Sequence, residues 1–338
     1  MQSLSAVVLA AGKGTRMKSE NPKALFPVAG KSILQHIIDT LIDTGVKKIY
    51  IVVGYGSDQV QVAVTGPITW VEQREQLGTG HALLQAAPYL SGFSGSLLVV
   101  AGDAPLLTSA TLSAFIQEHQ RGKNAATVLS ARVPDPTGYG RIVRDEKGWV
   151  TAITEEKDAS PKEKGITEIN SGAFCYNWGK VSPLLAALTP NNTQGEYYLT
   201  DLISLLARQG EKTGAFVARD HNEVAGINDR VQLAWAEGIM RFRINQTLMR
   251  SGVSMQDPGA VWIDVDVEIG PDTVIMPNTH IYGDTKIGPK CTIGPDAMIT
   301  CCQLGRLLST GVCRSACFAI SPRLSSTNFT GASTRVAR

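Results

Sequence analysis

Short apolar runs rich in valine and isoleucine alternate with amphipathic stretches across the first half of the chain. Ala6–Ala10, Lys48–Val53, Ile68–Val71, Leu97–Ala101 and Thr127–Ala131 read as strands, each a run of the length and β-branched content that a buried strand needs. Between the first two, Ser32 is an N-cap for a helix that sets Ile33, Leu34, Ile37, Ile38, Leu41 and Ile42 on one face and that Gly45 closes. Strand and helix alternating in this way predict an α/β domain, doubly wound around a largely parallel sheet. Ligands of such sheets bind beyond the carboxyl ends of the strands, so the residues just after each strand are where chemistry is expected.

Past residue 255 the periodicity changes. Ile263, Ile269, Ile275, Ile281, Ile287, Ile293 and Ile299 recur every six residues, a period that neither a helix nor an ordinary strand has. Gly-Pro comes next at 270–271, 288–289 and 294–295, as a β-solenoid turning a corner after each short strand requires. Continued in register, the pattern lands on Gly305, Gly311, Cys317 and Arg323, which cannot fill an inward-facing aliphatic stack. The expected organisation is therefore a nucleotide-site domain over 1–227, a joining helix over 228–250, the solenoid over 251–300 and an atypical tail over 301–338. The tail reads as sequence out of frame or unrelated to the solenoid, or else as a diverged segment that folds against the solenoid end, and is expected to be poorly ordered. Its Cys313 and Cys317 lack the further paired ligands that zinc would need.

Composition narrows the function classes. Lys and Arg total 32 against 30 Asp and Glu, but five Arg and no acid lie after residue 300, so the main body is slightly acidic. A broad basic face for nucleic acid is excluded, and phosphate binding must come from a few placed groups. The apolar run at 6–11 is followed, not preceded, by Lys13 and Arg16, the reverse of a secretory signal, and no stretch is apolar for long enough to span a bilayer. Two cysteines before residue 300 and no CxxC suit a reducing compartment, so a cytoplasmic location without a membrane partner is expected.

The first strand runs into Leu9-Ala10-Ala11-Gly12-Lys13-Gly14-Thr15-Arg16-Met17, where two glycines permit a tight turn with N–H groups free for phosphate and two cations add charge. Such a turn is often only a turn. Lys23, stiffened by Pro22, is either a solvated surface lysine or a cation aimed at the same phosphates. Gln73 and Gln76-Leu77-Gly78-Thr79-Gly80-His81-Ala82 come after the third strand; amides can match the edge of a pyrimidine and a Gly-Thr-Gly turn can pass close to a flat base. His81, alone at a helix start, reads as structural. Gly102-Asp103-Ala104-Pro105 closes the Leu97 strand, and Asp103 is either a ligand for Mg²⁺, which takes few protein oxygens, or the N-cap of the next helix.

These motifs, with Asp135–Arg141, Glu155–Asp158, Glu168–Gly172, Gly195–Asp201 and Gly226–Asn228, resemble the bacterial N-acetylglucosamine-1-phosphate uridylyltransferases, the N-terminal half of the bifunctional GlmU enzymes. The resemblance covers about the first 300 residues and implies a Rossmann-like nucleotidyltransferase domain followed by the start of a left-handed parallel β-helix that builds homotrimers in that family. By that resemblance Leu9, Ala10, Ala11, Gly12 and Lys23 sit on the UTP phosphates, and Gln73, Gly78 and Thr79 read the uracil and its ribose. Asp103 and Asn228 hold Mg²⁺, and Gly102 and Asn228 also bind substrate. Gly140, Glu155, Asn170 and Thr200 hold the N-acetylglucosamine group, while Arg16 and Lys23 act catalytically on the charged oxygens.

The implied reaction joins UTP and N-acetylglucosamine-1-phosphate. The sugar phosphate is already an anion, so the step needs charge neutralised rather than a general base. A glucose-1-phosphate thymidylyl- or adenylyltransferase is the rival within this chemistry, and a solenoid scaffold that has lost catalysis the rival outside it. The acetyltransferase activity of the family's C-terminal half is expected to be absent, and the short solenoid to leave trimer formation weak.

Overall fold

The computed structural model describes residues 3–305 and 309–310, which fall into two compact units, divided between Arg241 and Phe242. Of the tail expected to be poorly ordered over 301–338, residues 306–308 and 311–338, Cys313 and Cys317 among them, lie outside the described residues, while Gln303–Leu304 and Ser309–Thr310 form short strands.

In the first unit the strands β1 (Ser3–Ala10), β2 (Lys48–Val53), β3 (Ile68–Glu72) and β4 (Gly95–Ala101) are parallel, β1 lying between β2 and β4 and β3 outside β2. β5 (Ala126–Arg132) comes next in the chain, then a hairpin of β6 (Arg141–Arg144) and β7 (Val150–Thr154), then the long β8 (Glu168–Asn177) and β9 (Thr213–Val217). The sheet order is β9-β5-β8-β4-β1-β2-β3. β8 runs antiparallel to both β4 and β5 and joins the parallel half to the parallel β5–β9 pair. Because β8 is reversed, its beginning, not its end, lies at the carboxyl edge of its neighbours, which brings Asn170 and Gly172 to the ligand edge of the sheet.

Alternation along each strand splits the core in two. Ala6, Val8, Leu98 and Val100 face one layer with helices α1 (Ile33–Asp43) and α3 (Ser109–Gly122). Val7, Leu97 and Val99 face the other with α2 (Thr79–Ala86) and α4 (Asp201–Arg208). Ser32 caps α1 as its sequence predicts, its hydroxyl accepting from the Gln35 N–H, and Gly45 lies just past the helix end at φ +88°. Ile42 is exposed, however, and the buried face takes His36 instead, whose Nε2 lies 2.7 Å from the Val28 carbonyl. The apolar face is thus narrower than the pattern indicated. A helix α5 spans Arg230–Arg250.

The second unit stacks short strands in three parallel sheets. Ile263, Ile281 and Ile299 stack in one column and Ile275 and Ile293 in another, all buried, each such side chain contributing about 1.5–3 kcal/mol by leaving water. The corners fall where Gly-Pro follows a strand, as expected. They are turned chiefly by non-glycine residues after the prolines, with Asp272, Lys290 and Asp296 at φ near +60°; Gly270 serves close approach instead. A Cβ on Gly270 would lie 2.5 Å from the Pro289 nitrogen of the next coil, so Gly270→Ala is expected to cost about 2 kcal/mol of stability, read by urea unfolding beside the native chain. One expectation is corrected: the aliphatic stack does not stop at Ile299. Leu304, one residue before the position that a strict period assigns to Gly305, pairs with Ile287 and packs against the same cluster, and the backbone register carries the shift on to Thr310 opposite Ile293. One coil has lost a residue, and a fixed count of six steps past the side chain that fills the core.

Candidate functional site

A cleft of about 370 Å³ opens at the carboxyl edge of the β1–β4 sheet. Its lining takes in Leu9, Ala10, Ala11, Gly12, Lys23, Gln73, Gly78, Thr79, Gly102, Asp103, Glu155, Asn170 and Thr200, which lie far apart along the chain.

At one end, β1 and β4 stop together. The Gly102 N–H donates to the Leu9 carbonyl at 2.8 Å, and a Cβ on Gly102 would lie 2.9 Å from that oxygen, so the two loops can meet only because residue 102 has no side chain. Gly14, at φ +60°, leads into a single turn over Thr15–Met17 and packs against the stem of Lys23, whose Cβ a Cβ there would meet at 2.7 Å. Lys23 therefore extends inward rather than into solvent. Its Nζ donates to Asp103 Oδ2 at 2.7 Å and lies 3.4 Å from Asn228 Oδ1, while Arg16 Nη2 donates to the same Asn228 oxygen at 3.0 Å. Asp103 is not an N-cap: Thr108 caps α3, its hydroxyl accepting from the Thr111 N–H. Instead the Asp103 carbonyl receives the Ile227 N–H at 2.8 Å, which carries Asn228 to the same spot from the far side of the sequence. Burial, and then the charge of Asp103, push the Tyr139 phenol above its ordinary value.

The middle of the cleft is backbone. Gly78, at φ +112°, has the Tyr197 carbonyl so close that a Cβ would lie 2.6 Å from it. Gly80 N–H donates to that carbonyl, Tyr197 N–H to the Leu77 carbonyl and Leu199 N–H to Thr79 Oγ1. Gln73 is almost fully buried, and its amide nitrogen donates to Gly78 O at 3.2 Å and lies 2.9 Å from His81 Nδ1. That corrects the reading of a free amide edge: the nitrogen is spent inside the protein and is no longer a donor for a ligand. His81 acts structurally, holding Gln73.

At the other end a bulge in β8 between Asn170 and Ala173 turns Gly172 to φ +78°, with Asn170 Oδ1 accepting its N–H. Glu155 Oε1 accepts from Thr200 Oγ1 at 3.2 Å. Gly140 lies behind this group: its carbonyl accepts from Asn170 N–H, and a Cβ on it would lie 3.2 Å from Glu155 Oε2. Arg16, Gly140 and Asn228 thus support the cleft without lining it.

Two family models match the chain: the MobA-like NTP transferase domain over residues 6–160 and the bacterial transferase hexapeptide (six repeats) over 266–301. A UDP-glucose pyrophosphorylase solved with UDP-glucose superposes with a TM-score of 0.60 over 72% of this chain and 100% of that one; at 17% identity this speaks for the fold alone. The bifunctional protein GlmU of Brevibacillus brevis is 47% identical over 300 residues, 89% of this chain and 65% of that protein. GlmU of Pelotomaculum thermopropionicum is 47% identical over 306 residues, 90% of this chain and 67% of that protein. The chain belongs to the bifunctional GlmU family.

It spans about two thirds of the length of those GlmU relatives. Among the described residues no helix is long and apolar enough to cross a membrane. Among the lining groups of this GlmU-family cleft, Glu196 and Leu199 fall in the Gly195–Asp201 run without a role assigned from sequence, and sequence reasoning misses Phe174 altogether. Glu196 sits in a run that the sequence marks as glycine- and tyrosine-rich, but no spacing rule assigns a loop carboxylate to a cleft formed elsewhere.

Glu155 offers a stability test. Burial raises its carboxyl above the ordinary value, the Thr200 hydroxyl opposes this, and the charges of Asp158, Asp201 and Glu196 add to the rise. The folded chain therefore binds this proton more tightly than the unfolded one. The associated stability is full below the ordinary carboxylate range and is lost as pH rises through the elevated value. Glu155→Gln, which cannot ionise, is expected to raise the melting temperature at pH 7 and to change it little at pH 4, read by thermal melts at both values.

Proposed function

We propose that this cleft transfers a uridylyl group from UTP to N-acetylglucosamine-1-phosphate, giving UDP-N-acetylglucosamine and pyrophosphate. The observation that carries the reading is the convergence, at one end of a single cleft, of the Leu9–Gly12 turn, Lys23 and the Asp103 carboxylate, backed by Arg16 and Asn228, with a polar pocket at the other end. The GlmU-family relatives and the NTP transferase domain model support the nucleotidyl-transfer class.

The donor set fits Mg²⁺. One carboxylate and one amide oxygen both lie against the Lys23 ammonium, so a positive charge is already accommodated between them, and few protein oxygens suit an ion that keeps its water and phosphate ligands. Bound there, Mg²⁺ would neutralise phosphate oxygens and assist departure of pyrophosphate. The chain's own residues do the rest. Backbone N–H groups of the Ala11–Gly12 turn hold the triphosphate, Lys23 and Arg16 offset the repulsion between the two anions, and the Gln73 carbonyl and the Gly78–Thr79 backbone hold the base. Glu155, Asn170 and Thr200 orient the sugar so that its phosphate faces the α-phosphorus. No general base is required, because the attacking oxygen is already anionic.

Pyrophosphate release with UTP and a panel of sugar-1-phosphates tests this: N-acetylglucosamine-1-phosphate is expected to lead, and preference for glucose-1-phosphate would overturn the sugar assignment. Acetyl transfer is not part of the proposal. His280, the one imidazole among the described solenoid residues, stacks on Trp262 at 4.6 Å and lies 2.8 Å from the Tyr282 hydroxyl, where it is committed to packing. The 338-residue chain is expected to release no free thiol from acetyl-CoA with glucosamine-1-phosphate, as a thiol-reactive dye would report.

A further inference from the structure

We propose that Lys23 and Arg16 occupy the oxygens of the metal pair until a divalent cation takes them, and that this exchange sends both side chains to the nucleotide phosphates. The inference rests on the assignment of Mg²⁺ to Asp103 and Asn228 and adds a coupling between metal and nucleotide that the assignment alone does not contain.

Three observations carry it. Among the described residues Lys23 is the only side-chain donor to the Asp103 carboxylate, and the Asp103 and Asn228 oxygens are the only acceptors of the Lys23 ammonium. Among the same residues Arg16 has a single acceptor for its side chain, that same Asn228 oxygen. Both cations are therefore held by the two side chains that would hold the metal, Lys23 on Asp103 Oδ2 and Asn228 Oδ1 and Arg16 on Asn228 Oδ1. An ammonium or guanidinium offers donors only, so neither can become a ligand, and an ion about 2.1 Å from these oxygens would stand in direct repulsion with both.

The surroundings let the head groups move and keep the oxygens still. Gly14 and the extended Pro22 backbone pin the stem of Lys23, leaving its terminal carbons and Nζ to swing. Gly226 packs against the Asp103 carboxylate, where even a methyl group would lie 3.2 Å from Oδ1, and the Asp103 carbonyl is tied to Ile227. Metal entering alone leaves two cations without acceptors. Metal entering with a triphosphate gives both of them phosphate oxygens. The two ligands consequently assist each other, and by linkage the assistance is mutual.

The test measures Mn²⁺ binding to the full 338-residue chain by electron paramagnetic resonance, without nucleotide. Lys23→Met keeps the stem and removes the competing charge; it is expected to tighten Mn²⁺ by about fivefold or more, at the low end of typical coupling. Asp103→Asn is expected to weaken it. If Asp103→Asn weakens Mn²⁺ binding and Lys23→Met leaves it unchanged or weaker, the exchange is overturned and the metal assignment stands. If Asp103→Asn has no effect, the metal assignment falls and the exchange with it. A second measurement needs no variant. Acetic anhydride labelling of Lys23 in the native chain, read by peptide mass spectrometry, is expected to rise with Mg²⁺ alone and to fall again when UTP is added. Labelling indifferent to Mg²⁺ would overturn the proposal.

Discussion

Asp103→Asn is expected to lower the rate of pyrophosphate release by about 10²–10³ while the fold survives, the size of loss seen when a group acting mainly in a transition state is removed. The side chain lies in the cleft wall rather than in either core cluster, and its backbone contact to Ile227 does not depend on its charge. What asparagine removes is the carboxylate that pairs with Lys23. The partly exposed ion pair is worth about 1 kcal/mol of stability, so thermal melts should move little. Rates measured across a Mg²⁺ series decide the matter; a variant that keeps native rates at low Mg²⁺ would show that Asp103 is not the ligand.

The preference for UTP over ATP or GTP is expected to reach about 10⁴ in kcat/KM, because a site built around fixed hydrogen-bonding groups is left with unpaired buried polar atoms when the wrong ligand enters. The Gly78–Thr79 turn is fastened to Tyr197 and Leu199 by hydrogen bonds and cannot widen without breaking them. The buried Gln73 has its nitrogen committed, so the acceptor it offers suits the N–H of a uracil ring, whereas the ring nitrogens of adenine accept rather than donate; guanine, whose N1–H donates, is opposed by the fixed width of the turn instead. Initial rates with each triphosphate at fixed N-acetylglucosamine-1-phosphate check this, and comparable values for a purine would remove the base assignment.

Strand positions and the α1 cap are legible in the sequence because they depend on local pattern: β-branched runs, a serine before an apolar face, a glycine after it. The end of the cleft beside β1 and β4 is legible for the same reason, since Leu9–Gly12 and Asp103 lie at or just past the ends of parallel strands and Lys23 sits in the loop between the first strand and α1. The end formed by Glu155, Asn170 and Thr200 is not legible from pattern. Asn170 lies at the start of a reversed strand, opposite to where the rule for parallel sheets directs attention, and only resemblance points to it. Gln73 stands out in sequence but its role does not, because the hydrogen bonds that consume its nitrogen come from residues folded back onto it. Ile42 escapes for a simpler reason: a helix face seen in sequence has no width until something packs on it.

The residue missing from the last described coil resets the phase of the solenoid. From Ile263 to Ile299 a residue's inward or outward sense can be computed by counting in sixes, and the hexapeptide repeats are recognised as far as residue 301. Once Leu304 takes the inward place, that arithmetic is off by one, like a vernier moved a single division. A designer grafting further coils onto this chain would have to number them from Leu304 rather than from Ile263, or every aliphatic side chain meant for the interior would be delivered one position late.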